Sequence, residues 1–130
     1  AENAMIKVIE SDQDARDFLN SVPYPEHVPD WLPINTHRSF VLGVYMGKLV
    51  GAFPLITRDD AIEINAAFLP EFRGKFAVNA AKEAFSWIWA NTSFRRIIAD
   101  IKEPHVKRFA AMCGMVKKSN LFEVEHGRIC

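Results

Sequence analysis

The run Phe68-Leu69-Pro70-Glu71-Phe72-Arg73-Gly74-Lys75-Phe76-Ala77-Val78 decides the fold. It reads as a strand ending at Pro70, a turn through Arg73-Gly74-Lys75, and the start of a buried helix. Gly74 permits a turn with positive φ, and successive N–H groups in such a turn make an anion-binding nest. A helix start adds unpaired N–H groups and a partial positive charge, which suit a phosphate. Arg73 and Lys75 add formal charge. On these residues alone, an ordinary strand–helix turn with solvated basic side chains is the simpler reading.

Downstream, Lys75 to Asn91 is the clearest helix. At about 100° per residue its polar positions, Asn79, Lys82, Glu83 and Ser86, fall in one narrow wedge, so protein should cover most of its sides. Trp87 and Trp89 read as packing within it. Arg95 to Ile101 follows as a strand. Pro104 suits the first turn of a helix running to Cys113 and stopped by Gly114. Met115 to Lys118 and Leu121 to Glu125 read as a closing strand pair.

Upstream, Ser39 to Tyr45 and Leu49 to Ile56 flank the tight turn Met46-Gly47-Lys48 as a hairpin. Ala61 to Leu69 is a third strand, on which alternation puts Glu63, Asn65 and Ala67 on one face. Met5 to Ile9 is a short strand. Ser11 or Asp12 caps a helix ending near Val22–Pro23. Pro23, Pro25, Pro29 and Pro33 then exclude a regular helix up to Asn35, leaving a loop with a short turn at Pro29–Leu32. Trp31 either lines a pocket or, as the simpler reading, pins this loop to the core. The order predicts an α/β (α+β) fold: a mixed, largely antiparallel sheet flanked by helices. One domain is expected over residues 5–130, with Ala1 to Ala4 a vector remnant.

Sixteen basic residues balance sixteen acidic ones, so no global field draws nucleic acid or anionic lipid. Lys102, Lys107, Arg108, Lys117 and Lys118 read as a solvated surface. No apolar run reaches the ~20 residues of a membrane span. Cys113 and Cys130 make no disulfide framework, so a reduced, cytoplasmic protein is expected, with Cys113 in the core. His27, His37, His105 and His126 lack metal-ligand spacing.

Leu69 to Lys75, read with the strand before it and the helix after it, resembles the acyl-CoA-binding motif of the GCN5-related N-acetyltransferase (GNAT) superfamily, strand–x-P-E-[YF]-R-G-K–helix. Glu63 stands seven residues before Pro70, a spacing similar to that in ribosomal-protein-type N-terminal acetyltransferases. Arg96 to Ala99 and Phe109 to Met115 resemble the family's next strand and closing helix. The likeness runs from about Val41 to Met115. It implies a GNAT-like fold and acetyl transfer from acetyl-CoA, as co-substrate, to an amine acceptor. Phe68 would offer backbone groups to pantetheine. Arg73, Gly74, Lys75, Phe76, Ala77 and Val78 would cradle the phosphates. Glu63, and behind it Asn65, would serve amine deprotonation; a solvated carboxylate is the alternative for Glu63.

The sequence departs from the family at three positions. Phe76 replaces the second glycine of the pyrophosphate turn, Ala110 stands where a tyrosine acid is common, and Glu103 where an asparagine is common. These departures, with a looser likeness to phage- and prophage-encoded proteins, imply the alternative: a catalytically weakened GNAT fold acting as a phage structural or protein-interaction protein, virion-associated, with a phage protein partner. A homodimer paired through Leu121 to Glu125 is a further expectation.

Overall fold

The computed structural model describes residues 4–22, 28–29 and 31–127. Its elements are β1 (Met5–Val8), α1 (Asp12–Ser21), β2 (Ser39–Tyr45), β3 (Leu49–Thr57), β4 (Ile62–Ile64), β5 (Ala67–Phe68), α2 (Lys75–Asn91), β6 (Arg96–Ala99), α3 (Pro104–Met112), β7 (Val116–Lys118) and β8 (Leu121–Glu125). A single 3-10 turn, Pro70–Phe72, joins β5 to the approach of α2. One sheet runs β1-β2-β3-β4-β6-β8-β7, with β5 also on β3. Only β4 and β6 pair in parallel among the described residues. The fold class expected from the sequence is the one observed.

Each sheet face has its own apolar cluster. On one, Phe18, Leu19 and Ala15 of α1 cover Val41, Ala52 and Ala67. On the other, Ala77, Ala81, Phe85 and Ile88 of α2 and Ala110 of α3 cover Leu42, Phe53, Leu55, Ile64 and Ile97. Small side chains let α2 lie close to the sheet, while Asn79, Lys82, Glu83 and Ser86 face solvent. Ser11 is the cap of α1, its Oγ accepting from the Asp14 N–H at 3.1 Å.

The third strand differs from expectation by breaking in two, at Asn65–Ala66. Its register against β3 is unbroken, since Leu55 opposes Ile64 and Ala52 opposes Ala67. The Asn65 N–H reaches the Pro54 carbonyl at 3.0 Å. Proline has no N–H to return, so half of that bonded pair is missing and the ladder lapses there.

Gly51 opposes Phe68 across the β3–β5 pair. A Cβ on Gly51 would overlap the Phe68 ring. That ring also stands edge-on to Phe53, with centroids 5.4 Å apart, and to Phe76 at 6.3 Å.

Trp31 does not pin the proline-rich loop, because it is 79% exposed. Arg16 holds the loop instead: its buried guanidinium donates to the carbonyls of Pro29, at 3.3 Å, and Leu32. Asn20 both donates to and accepts from the Val28 backbone. Pro23, Pro25, His27 and Cys130, like the first three residues, lie outside the described residues. Pairing between copies through Leu121 to Glu125 is also corrected, since β8 already has β6 on one side and β7 on the other.

Glu123 on β8 is 6% exposed and is bonded by Arg96 Nε at 3.1 Å and Lys118 Nζ at 3.2 Å. Burial pushes its carboxyl up, but the bonds and charges of Lys118 and Arg96 outweigh that and hold it below the usual range. A carboxyl depressed in the folded state stabilises above its unfolded value, near 4.3, and loses that contribution as pH falls through the folded value.

Two stability predictions follow from this packing. Gly51→Ala should cost about 1–3 kcal/mol by overpacking, with part of the loss recovered in Gly51→Ala/Phe68→Leu, as read by urea denaturation. Glu123→Gln should cost about 1–3 kcal/mol at pH 7, since one partner of a buried pair is removed while Arg96 and Lys118 keep some solvent. The gap between it and the parent should close as pH falls below about 4.

Candidate functional site

The site is set by where β4 and β6 part. Alternation in the ladder turns the N–H and C=O of residues 63, 65, 67 and 69 toward β3, as the bonds from Asn65 to Pro54 and from Leu69 to Val50 (3.0 Å each) require. Residues 62, 64, 66 and 68 then turn theirs toward the β6 side. β6 opposes this strand only at Ile62–Ile97 and Glu63–Ile98. Beyond that, β6 ends at Ala99 and the chain leaves toward α3, while β5 stays on β3. Among the described residues, the N–H and C=O of Ala66 and the N–H of Phe68 are left along an open edge, while the Phe68 C=O accepts from Arg73 Nε.

A cleft of about 390 Å³ occupies the split. Ile64, Asn65 and Ala66 form one wall, and Ala99, Asp100 and Ile101 the facing one. Phe53, Ala81 and Phe85 line it from β3 and α2; Glu103, Val106, Phe109 and Ala110 line it from α3 and its cap, with Cys113 and Met115 beyond. It is apolar except for Asn65, Asp100 and Glu103. Phe109 and Ala110 have no proton to give. Burial pushes the Cys113 thiol up to about 11, partly offset by the Lys82 charge, so the thiol is neutral.

The Arg73–Val78 turn adjoins the open edge. Gly74 caps α2 with φ 77° and ψ −134°, and no side chain caps the helix. A Cβ there would meet nothing, so glycine is required by backbone conformation rather than by space. The first intrahelical bond runs from Val78 N–H to Gly74 C=O at 3.0 Å, leaving the N–H groups of Lys75, Phe76 and Ala77 at the bare end. Arg73 Nε donates to the Phe68 carbonyl at 3.2 Å, bracing the turn against β5. Phe76 packs inward, its ring 5.2 Å from that of Phe72, so its side chain does not cover the helix start. Arg73 and Lys75 are exposed.

Of the two strand residues singled out for proton transfer, Asn65 lines the cleft and Glu63 does not. Arg58 donates to Glu63 Oε1 twice, from Nε at 3.0 Å and Nη2 at 2.6 Å. Both bonds fall on one oxygen. Phe68, Arg73, Gly74 and the first turn of α2 do not line the cleft.

The sequence reading did not single out Asp100, Phe53, Phe85 or the Ala81–Ala110 pair as site residues. Asp100 had a signal: ligand sites in α/β sheets gather beyond the carboxyl ends of parallel strands where neighbours part, and Asp100 follows β6. His37, His105 and His126 are exposed, and no cluster of three metal-ligating residues exists among the described residues. No helix among them is long and apolar enough to cross a membrane.

The family described as "Protein of unknown function (DUF2824)" matches residues 33–127, and the chain belongs to it. Protein p31 of Acyrthosiphon pisum secondary endosymbiont phage 1 is 38% identical over 69 residues, 52% of this chain; the match spans 44% of that relative's length. Among solved structures, a spermidine N-acetyltransferase SpeG chimera from Vibrio cholerae and hSSAT superposes with TM-score 0.75 at 12% identity, over 95% of this chain and 96% of that one. A dodecameric spermidine N-acetyltransferase from Vibrio cholerae gives 0.70 at 14%, over 94% and 93%. Ribosomal-protein-S5-alanine acetyltransferase from Vibrio fischeri gives 0.67 at 16%, over 98% and 95%. At these identities the likeness establishes the GNAT fold.

One prediction concerns the cleft thiol. In Cys130→Ser, where Cys113 is the remaining cysteine, alkylation by iodoacetamide at pH 8 should run about two orders of magnitude slower in the folded protein than in urea, because burial and the raised pKa leave little thiolate. Equal rates would contradict that assignment.

Proposed function

We propose that this member of the DUF2824 family is a single-domain N-acetyltransferase, spanning residues 5–130, that moves the acetyl group of acetyl-CoA onto an amine of a small molecule or protein. One observation carries the reading. The open backbone edge at Ala66 and Phe68 leads, through the braced Arg73 turn, into an uncapped helix start with two exposed basic residues. An extended amide-bearing arm ending in phosphates fits that sequence of features. The arm would pair with the edge as a strand does, and the phosphates would take the N–H groups of Lys75 to Ala77, with Arg73 and Lys75 adding charge.

In the reaction, the amine lone pair attacks the thioester carbonyl carbon. A C–N bond forms, the C–S bond breaks, and the sulfur leaves with its electron pair. The proton lost by the amine nitrogen ends on the thiol. Asn65, in the cleft wall, orients the amine. Glu63, on the same sheet face and with Oε2 not taken by Arg58, accepts the proton through water. This protein would act in the cytoplasm.

Calorimetric titration with acetyl-CoA tests the reading. Binding is expected, and Arg73→Glu should weaken it at least about tenfold, since a phosphate contact is replaced by repulsion. No heat at millimolar acetyl-CoA would overturn it. Glu63→Gln should lower kcat about 100-fold or more, with acetyl-CoA binding retained; full turnover would remove the base role.

A second reading is favoured by the phage relative and by the absence of a proton donor at Phe109 and Ala110. In it, the fold is a catalytically weakened interaction module in a virion. Co-purification with phage proteins, without acetyl-CoA binding, would select it. Self-association is common to both readings, and size measurement in solution would settle whether a homodimer forms.

A further inference from the structure

We infer that the cleft takes an acyl chain longer than acetyl, so that the preferred donor is a medium-chain aliphatic acyl thioester. This inference rests on the reading of the site as an acyl-CoA site and deepens it.

Three observations carry it. First, of the surface assigned to the arm and phosphates, Ala66, Phe68 and Arg73 to Val78, only Ala66 lines the cleft, and the lining runs on from it to Ile64, Phe53 and Phe85. The cavity therefore extends past the last edge residue the arm would pair with, where the acyl group must go. Second, its polar and apolar parts are segregated. Asn65, Asp100 and Glu103 sit at the strand ends and the start of α3, whereas Cys113 and Met115 lie past its other end. Nine residues of α3 separate these ends, about 14 Å at 1.5 Å per residue. A methyl group would use little of that length, and an apolar cavity offers water no partners. Third, the walls that the two helices contribute carry small side chains. Ala81 on α2 and Ala110 on α3 both line the space and are buried, and the neutral Cys113 thiol adds no charge beyond them.

Chain length leaves the reaction unchanged: the C–N bond forms, the C–S bond breaks, and the proton from the amine ends on the thiol. Only the non-reacting part of the donor gains contacts.

Competition calorimetry with acetyl-CoA, butyryl-CoA and hexanoyl-CoA, on the intact chain, tests the inference. Affinity should rise with length, with hexanoyl-CoA binding at least about tenfold more tightly than acetyl-CoA; that is below the gain expected for burying four methylenes fully. Ala110→Leu and, separately, Ala81→Leu should bring the hexanoyl-to-acetyl ratio down to about one, and a cooperative melt for each variant shows that it is folded. Should acetyl-CoA bind as well as or better than hexanoyl-CoA, the inference fails and the acetyltransferase reading stands. If no CoA thioester binds, both fall. A hexanoyl preference that survives in both folded variants would also overturn the inference, because the extra chain would then lie elsewhere.

Discussion

The Phe68 ring lying on Gly51 is the contact on which the rest of this structure depends. It fastens β5 to β3 at the position where β6 turns away, so the sheet splits on one side and holds on the other. Two consequences come from that asymmetry. The strand at Ala66 and Phe68 keeps an edge without a neighbouring strand, with the Phe68 carbonyl held by Arg73, and α2 starts at a fixed place beside that edge. The ring's further contacts with Phe53 and Phe76 tie the helix start to the same anchor. Phe76 therefore has a structural task in the turn where the GNAT pattern has glycine, and its inward packing leaves the N–H groups of the turn facing outward.

Charge is used differently on the two sides of β6. Near β8, Glu123, Arg96 and Lys118 satisfy one another, and Arg96 also reaches the exposed Asp60 at 3.1 Å. This closes the side of β6 away from the split and holds β8 against it. At the split, Asp100 and Glu103 have no such partners among the described residues and line a largely apolar space. The contrast separates a structural ion network from polar groups arranged around a cavity.

Much of this was legible in the sequence, for physical reasons. Lys75–Asn91 was readable because a 17-residue apolar helix with one polar wedge has few alternatives. The Arg73-Gly74-Lys75 turn was readable because only glycine tolerates that backbone. What escaped reading was set by cross-strand events. The lapse at Asn65–Ala66 comes from Pro54 on the neighbouring strand, and nothing local to Asn65 announces it. Trp31 was misjudged because aromatic residues usually find cover, whereas the loop is held by polar bonds from Arg16 and Asn20. The cleft was invisible because Ala81 and Ala99 read as ordinary small core residues, and Ala110 only as the place of a missing tyrosine, until the topology brings them together.

The central claim is that the open β5 edge and the start of α2 form one binding surface for an acyl-CoA. Amide hydrogen exchange by NMR, with and without saturating acetyl-CoA, addresses it residue by residue. Slowed exchange is expected at Ala66, Phe68, Lys75, Phe76 and Ala77, with amides on β1 and β7 unchanged. Saturation by acetyl-CoA without protection at those five amides would contradict it.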